Sequence, residues 1–284
     1  MRVFQENVAL QRSLGIETEW LSAEEVRRRA SPVDTTGILA GTFGPRDGLA
    51  DPSGVVQGYV KGARRLGASL VTDTEATGIE VKAGRVCAVK TSRGRIETGS
   101  VVNAAGPWAS TVGAMAGVEV PVRPVRRQIA VTTAIPELPV DFPMVIDFAD
   151  SLYFHREGEG VLTGMSNQNE REGFDQSVNR EWELTHLERA VARMPVLENA
   201  GILNRWAGLY AVSPDALAIL GKVPEPEGFY CINGFSGHGF MHGPICGLLL
   251  AEEILEGRAH TVDIEPLRID RFAKEDTARE YAVV

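Results

Sequence analysis

The stretch Gly228 to Gly247, GFYCINGFSGHGFMHGPICG, constrains this chain more than any other, because a short apolar strand runs through a glycine-dense turn straight into a helix. Gly234, Gly237 and Gly239 lack a Cβ, so the turn tolerates positive φ and lets a flat ligand lie against bare backbone. The spacing predicts a helix from about Met241 to Glu256, with Pro244 near its first turn, an apolar stripe through Ile245, Leu248, Leu249 and Ile254, and Gly257 as its stop. The helix N-terminus points at the turn, where unpaired N–H groups and the positive end of the dipole favour an anionic group. A plain strand-to-helix connection uses similar glycines, so the turn alone leaves ligand and no-ligand readings open.

Bulk properties narrow the classes. A chain of 284 residues buries a substantial core in one or two domains. A net charge of −9 argues against a nucleic-acid or anionic-membrane partner, which requires a concentrated basic face. The basic cluster Arg27 to Arg29 ends a short helix, where cations suit the dipole, and reads as a solvated face. Cys87, Cys231 and Cys246 are odd in number, lie in apolar surroundings and lack C-x-x-C spacing, so buried thiols in a reducing compartment are expected, with no metal site. No apolar run of membrane-spanning length and no signal-peptide pattern occur, and the expectation is a cytoplasmic protein without a membrane span.

The elements are interleaved, with no internal repeat. A helix is expected over residues 2–14, and Ser22 with Glu25 forms a capping box for a second helix ending near Ala30. Pro52 opens a helix whose Val55, Val56, Tyr59, Val60, Ala63 and Leu66 share one face before Gly67 ends it. A strand at Leu70 to Thr72 is followed by an antiparallel meander over Gly78 to Lys82, Val86 to Thr91 and Arg95 to Thr98. Ser100 to Ala104 reads as a buried parallel strand that delivers Gly106 and Trp108 to its C-terminal end, the edge where ligands sit in open α/β sheets. Strands are expected at Arg126 to Thr132, Met144 to Asp147, Leu152 to Arg156 and Val161 to Met165. A helix is expected at Arg180 to Met194 with Leu184, Leu187, Val191 and Met194 buried.

Three segments, GFSGHGF with the preceding WAGLYAVSPDALAILGKVPEPEGFY, VVNAAGPWAS from Val101 to Ser110, and DGLADPSGVVQGYVKGARRLGASL from Asp47 to Leu70, carry a family resemblance. They resemble, in family order, the FAD-dependent amine and amino-acid oxidoreductases of the D-amino-acid oxidase superfamily. These include sarcosine oxidase, glycine oxidase, dimethylglycine dehydrogenase and the β subunits of sarcosine oxidase and proline dehydrogenase. The resemblance runs from about Val8 to Gly257. It implies an α/β (α+β) fold in which a partial FAD-binding Rossmann-like domain, residues 45–117 and 213–284, is interleaved with an antiparallel-sheet substrate domain, residues 1–44 and 118–212. It implies flavin contacts at Ala105, Gly106, Trp108, Gly234, Phe235, Ser236, Gly237, His238, Gly239, Phe240 and Met241, with Ala76 at the adenine edge.

The family's N-terminal βαβ unit with G-x-G-x-x-G, whose glycines and helix N-terminus hold the FAD pyrophosphate, has no match here. The expectation is a family member lacking that segment: a truncated fragment, a chain begun at an internal Met, or one half of a split protein. A missing N-terminal half or an electron-accepting subunit is then a possible partner.

By resemblance the chemistry is oxidation of a small secondary or tertiary amine or amino acid, such as sarcosine, dimethylglycine, glycine or proline, by hydride transfer to flavin N5. Substrate anchoring departs from the best-known relatives. Met241 stands where monomeric sarcosine oxidases have a lysine, and the arginines of glycine oxidases are absent from Leu209-Tyr210 and Phe235 to His238. A buried carboxylate needs a cation. Arg156, at the end of a strand expected to face the flavin, is the first candidate, with Tyr153, His155 and Tyr210 as pocket-lining candidates; a surface arginine beside Glu157 is the competing reading.

His238, within the flavin motif, is expected to donate a hydrogen bond to the flavin or to hold the turn. Its i, i+4 spacing with His242 lacks the accompanying Glu and a third ligand, so no metal is expected. His155, His186 and His260 read as surface or rim residues. Two other functions compete. A serine hydrolase elbow would need G-x-S-x-G, and His238 stands where the last glycine belongs. A flavin-fold subunit without catalysis is the non-enzyme alternative.

Overall fold

The computed structural model describes residues 1–273, so the last residues of the expected 213–284 segment lie outside the described part. In chain order the elements begin with α1 (Arg2–Ser13), β1 (Glu19–Ser22), α2 (Ala23–Arg29), β2 (Ala40–Phe43) and α3 (Pro52–Arg65). Next come β3 (Ala76–Lys82), β4 (Arg85–Thr91), β5 (Gly94–Glu97), β6 (Val101–Asn103) and α4 (Ala109–Met115). Then follow β7 (Arg123–Thr132), β8 (Val145–Asp147), β9 (Leu152–Glu157), β10 (Gly160–Met165), α5 (Arg180–Arg193) and β11 (Ile202–Val212). The last are β12 (Ile219–Lys222), β13 (Phe229–Asn233) and α6 (Gly239–Glu256).

Alternation along the strands decides which faces are buried. A five-stranded antiparallel sheet runs β11-β7-β10-β9-β8, and α5 covers one face of it. Leu152, Phe154, Val161 and Met165 from the sheet, Ala190 and Met194 from α5, and Ala30 and Val33 from the N-terminal segment share one core. Arg193 ties that segment to α5 by donating to the Asp34 carbonyl at 2.9 Å, while its guanidinium pairs with Asp147 at 2.8 Å. The opposite face of the sheet is turned to the candidate site.

The second unit is built on the sheet β12-β13-β6, in which β13 and β6 are parallel. Alternate residues feed two cores. Ile219, Phe229 and Cys231 pack with α4 and the β3-β4-β5 meander, whereas Leu220 packs with Cys246, Leu249 and Leu250 of α6. The architecture is thus mixed α/β, with helices and antiparallel sheets interleaved along the chain, as expected. The Ser22–Glu25 capping box is present, and Gly257 ends α6 at φ +83°. Arg27 and Arg28 pair with Glu24 on the surface, and Arg29 with Glu19.

Several expectations change. No strand forms at Leu70 to Thr72. The apolar face of α3 buries nothing: Val56 is 55%, Tyr59 60% and Leu66 86% exposed, because no described element packs against it. On α5 the buried positions are Glu183, His186 and Ala190, while Leu184 is exposed. Tertiary partners make that possible: Glu183 accepts from Arg180 at 2.8 Å and Arg205 at 3.3 Å, and His186 bonds the Thr163 hydroxyl at 3.1 Å. His186 is therefore a core residue, not a rim residue, and burial pushes its pKa down to about 4. On α6, Ile245 and Leu248 are exposed and the buried face is Cys246, Leu249, Leu250, Glu252 and Glu253. Arg268 pairs with Glu253 at 2.5 Å, and Glu252 accepts from the amides of His260 and Thr261. Cys231 and Cys246 are buried, Cys87 only partly, and all three are free thiols.

Candidate active site

The parallel strands β6 and β13 end side by side at Asn103 and Asn233, both about 1% exposed. Each asparagine secures the turn that follows. Asn233 Nδ2 donates to the Asn103 carbonyl at 2.8 Å, and Asn103 Nδ2 donates to the Ala109 carbonyl at 2.8 Å. The Ala105 amide donates back to Asn103 Oδ1 at 3.2 Å. Buried amides bonded in this way fix backbone rather than side chains. The turn after β6 carries Gly106 at φ +53°, with open space where a Cβ would be, and continues as a 3₁₀ turn through Trp108.

The turn after β13 has Gly234 at φ +68°, Ser236 at φ +52° and Gly237 at φ +106°. Its conformation is held from the side. Ser236, about 1% exposed, donates its amide to the Ala211 carbonyl at 3.0 Å, and its hydroxyl accepts from the Ser213 amide at 3.2 Å. That hydroxyl has the Gly234 carbonyl as a further partner at 3.2 Å and no histidine, so it is a structural group and not a nucleophile. Behind it, Asp215 pairs with Arg271 at 2.7 Å, both buried. α6 then begins at Gly239, with His238 as an N-cap that gives no side-chain hydrogen bond to the opening amides.

These turns border the open face of the five-stranded sheet. A Cβ on Gly237 would meet the Tyr210 ring at 2.8 Å, and the Gly106–Trp108 turn packs against β7 and β11. Register places Gly208 opposite Arg127, Tyr210 opposite Val125 and Tyr153 opposite Gly164, so Arg127, Tyr153 and Tyr210 project from the same face. Gly208 leaves a hollow beside Arg127, and the Tyr153 ring fills the space over Gly164, where a Cβ would collide with it. The Arg127 guanidinium sits 5.3 Å over the Tyr210 ring. Burial lowers the Arg127 pKa and raises those of both tyrosines, so the phenols stay protonated.

A segment of the sheet unit reaches over the first turn. Phe174 stacks on Trp108 with ring centroids 5.5 Å apart, and both remain partly exposed. The segment is anchored by Arg123 to Glu172 at 2.8 Å, and by Arg126 to Glu170 at 2.9 Å and Asp175 at 2.7 Å.

The expected site residues are distributed as follows. Ala105, Gly106, Trp108 and Gly234 through Met241 lie on the two turns and the start of α6, with Phe240 and Met241 exposed. His238 stacks on His242 at 5.5 Å, and the described residues contain no metal-binding cluster. Ala76 opens β3 in the separate meander sheet. Arg156 is not at the hollow. Three residues after Tyr153, it projects with Leu152 and Phe154 from the opposite face, where it donates to the carbonyls of Leu138 and Pro139 at 3.1 Å. Sequence reasoning missed Asn103, Asn233 and Arg127. The available signal for Arg127 was the alternation Val125, Arg127, Ile129 along β7, which puts a cation in line with half-buried apolar residues.

The family model described as FAD dependent oxidoreductase matches residues 1–253. The chain is 31% identical over 304 residues to human mitochondrial sarcosine dehydrogenase, covering 98% of this chain and 33% of that protein. It thus spans about a third of the length of such curated relatives. Among solved structures, L-proline dehydrogenase from P. horikoshii superposes with a TM-score of 0.89 at 30% identity, covering 97% of this chain and 74% of that one. Glycine oxidase from Geobacillus kaustophilus shares the fold with a TM-score of 0.81 at 24% identity, covering 94% and 70%. With two glycine-bearing turns at the ends of parallel strands, bordered by an antiparallel sheet, this chain belongs to the FAD-dependent oxidoreductase family.

Proposed function

We propose that this chain is the substrate-binding and flavin-ring-binding part of an enzyme that oxidises small secondary or tertiary amines or amino acids with FAD. The observation that carries the reading is the closure of Gly237 against Tyr210, which sets the glycine turn beside the hollow lined by Arg127 and Tyr153. The residues fit the cofactor. Gly106 offers bare backbone with open space, the opening amides of α6 lack a side-chain cap, and Asn233 Oδ1 is a buried acceptor without a partner.

FAD, when bound, supplies the hydride acceptor. The protein holds the ring edge with the α6 N-terminus, which favours negative charge. It orients the amine across the hollow, and the Trp108–Phe174 stack partly shields one side from water. The pyrophosphate requires a further segment, and we infer that it docks at the free edge of β6. Val102 is 41% exposed there, and the apolar faces of α3 and of Ile245 and Leu248 on α6 are bare. Such a surface suits a βαβ unit, whether from the same polypeptide or from a subunit.

The experiment is an absorbance spectrum of the chain mixed with FAD and desalted, followed by anaerobic addition of sarcosine, dimethylglycine, glycine or proline. Retained flavin bleached by an amine supports the reading. Retained flavin that no amine reduces would leave a binding subunit without catalysis and sink it. If flavin is lost on desalting, the spectrum is repeated with the phosphate-binding segment supplied in trans.

A further inference from the structure

Ser236 and Ala216 stand at positive φ, +52° and +63°, a region that residues with a Cβ occupy only where neighbouring contacts over-determine it. Both belong to one node. Ser236 lies in the glycine turn before α6, and Ala216 lies in residues 213–217, the turn that follows β11. The two turns are moulded against each other. Val212 bridges Phe235, the Ser236 amide donates to the Ala211 carbonyl at 3.0 Å, and a Cβ on Gly234 would meet Ser213 Cβ at 3.0 Å.

What holds residues 213–217 comes from 56 residues further along the chain. Arg271, in the 3₁₀ turn Ile269–Ala273, donates from Nε to Asp215 Oδ2 at 2.7 Å and from Nη2 to Asp215 Oδ1 at 3.0 Å. Nη2 also donates to the Leu217 carbonyl at 3.0 Å. From there the bonds run to the glycine turn. Asp215 Oδ1 accepts from the Leu217 amide at 3.1 Å, the Leu217 carbonyl accepts from the Ser213 hydroxyl at 2.7 Å, and the Ser213 amide donates to the Ser236 hydroxyl at 3.2 Å. Arg271, Asp215, Ser213 and Ser236 are all buried. Burial by itself raises the Asp215 pKa, but the Arg271 hydrogen bonds and charge outweigh it, so the carboxylate is ionised and the guanidinium fork grips it. The neighbouring buried pair, Arg268 with Glu253, ties the same C-terminal segment to β12 instead, where Glu253 accepts from the Lys222 amide at 3.0 Å.

We propose that Arg271 is a positioning residue for the flavin: through Asp215, Leu217 and Ser213 it holds Ser236 at positive φ and so fixes the Gly237 amide and the opening amides of α6 at the ring edge. Without the charged pair, Ser236 relaxes toward ordinary φ and those amides turn away. The flavin part rests on the proposed flavin-ring site, whereas the coupling of Arg271 to the turn does not.

The test takes two readouts on the chain: amide hydrogen exchange without ligand, and binding of riboflavin, which carries the ring without a pyrophosphate. In Asp215→Asn, exchange of residues 234–241 is expected to quicken by about tenfold and riboflavin affinity to fall by about as much, the cost of releasing one strained residue. Arg271→Lys, which keeps the charge and loses the fork, should show a smaller change in both. Arg268→Lys is the control and should leave both readouts unchanged. Exchange at the turn that does not respond, or that responds equally in Arg268→Lys, overturns the proposal. Faster exchange with undiminished riboflavin affinity leaves the ring site standing and defeats the positioning role. No riboflavin binding by the unaltered chain, with exchange still responding, defeats the ring-site reading and leaves the coupling of Arg271 to Ser236 standing. Should Asp215→Asn fail to fold, Arg271→Lys against Arg268→Lys decides by the same readouts.

Discussion

Asn233 Nδ2 donates to the Asn103 carbonyl at 2.8 Å, joining the ends of two parallel strands that are far apart in sequence and from which both glycine turns depart. Asn233→Ala leaves that buried carbonyl without its donor and should cost about 1–3 kcal/mol. Urea unfolding measures the loss, and flavin retention after desalting should fall with it. An unchanged midpoint with unchanged retention would remove the asparagine pair from the account of the site.

Gly237 sits at φ +106° against the Tyr210 ring. Gly237→Ala is therefore expected to lose about 1–3 kcal/mol to backbone strain, with added cost from displacement of the ring. Gly58, on the exposed helix α3 with nothing near its Cβ, is the control. Gly58→Ala should stabilise slightly, by up to about 1 kcal/mol. Thermal melts of the two variants moving in the same direction would contradict this assignment of strain.

The Asp215–Arg271 pair braces the turn from behind, close to Ser213 and Ser236. Arg271→Met strands a buried carboxylate and is expected to destabilise by about 3–5 kcal/mol, whereas Asp215→Leu combined with Arg271→Met should recover part of the loss. Denaturant titration of the single and double variants gives the coupling. Additive losses would argue that the pair does not act as a unit.

His186 is neutral in the core, with its pKa lowered by burial from 6.5 to about 4. Because the unfolded chain takes up this proton first, the stability it contributes is complete above about pH 6.5 and is lost as pH falls toward and through the folded value of about 4. The difference is on the order of 3 kcal/mol. Stability measured from pH 7 to 4 should fall less steeply in His186→Gln than in the unaltered chain. Parallel pH profiles would refute a neutral buried imidazole.

Much of the local structure was legible in the sequence because its causes are local. The Ser22–Glu25 box, Pro52 at the start of α3, and Gly257 at the end of α6 act within one turn of chain. The β6 strand leading to Gly106 and the Gly234 to Gly239 turn were visible for the same reason, and their pattern pointed to the family. The burial faces of α5 and α6 were not legible. Glu183, His186, Glu252 and Glu253 are buried because arginines, a threonine hydroxyl and backbone amides from other segments satisfy them. Nor did periodicity reveal that the apolar side of α3 has no described neighbour.

The site divides along the same line. The sequence alone was enough to determine the two turns, because glycine conformational freedom and strand-to-helix order are properties of consecutive residues. Only the tertiary structure decided which cation faces them. The sequence reading named Arg156 and missed Arg127, but strand pairing turns Arg156 toward the Leu138 and Pro139 carbonyls and Arg127 toward Tyr210. In a sheet, a side chain's face is set by register with neighbouring strands, and a shift of one residue exchanges the two sides.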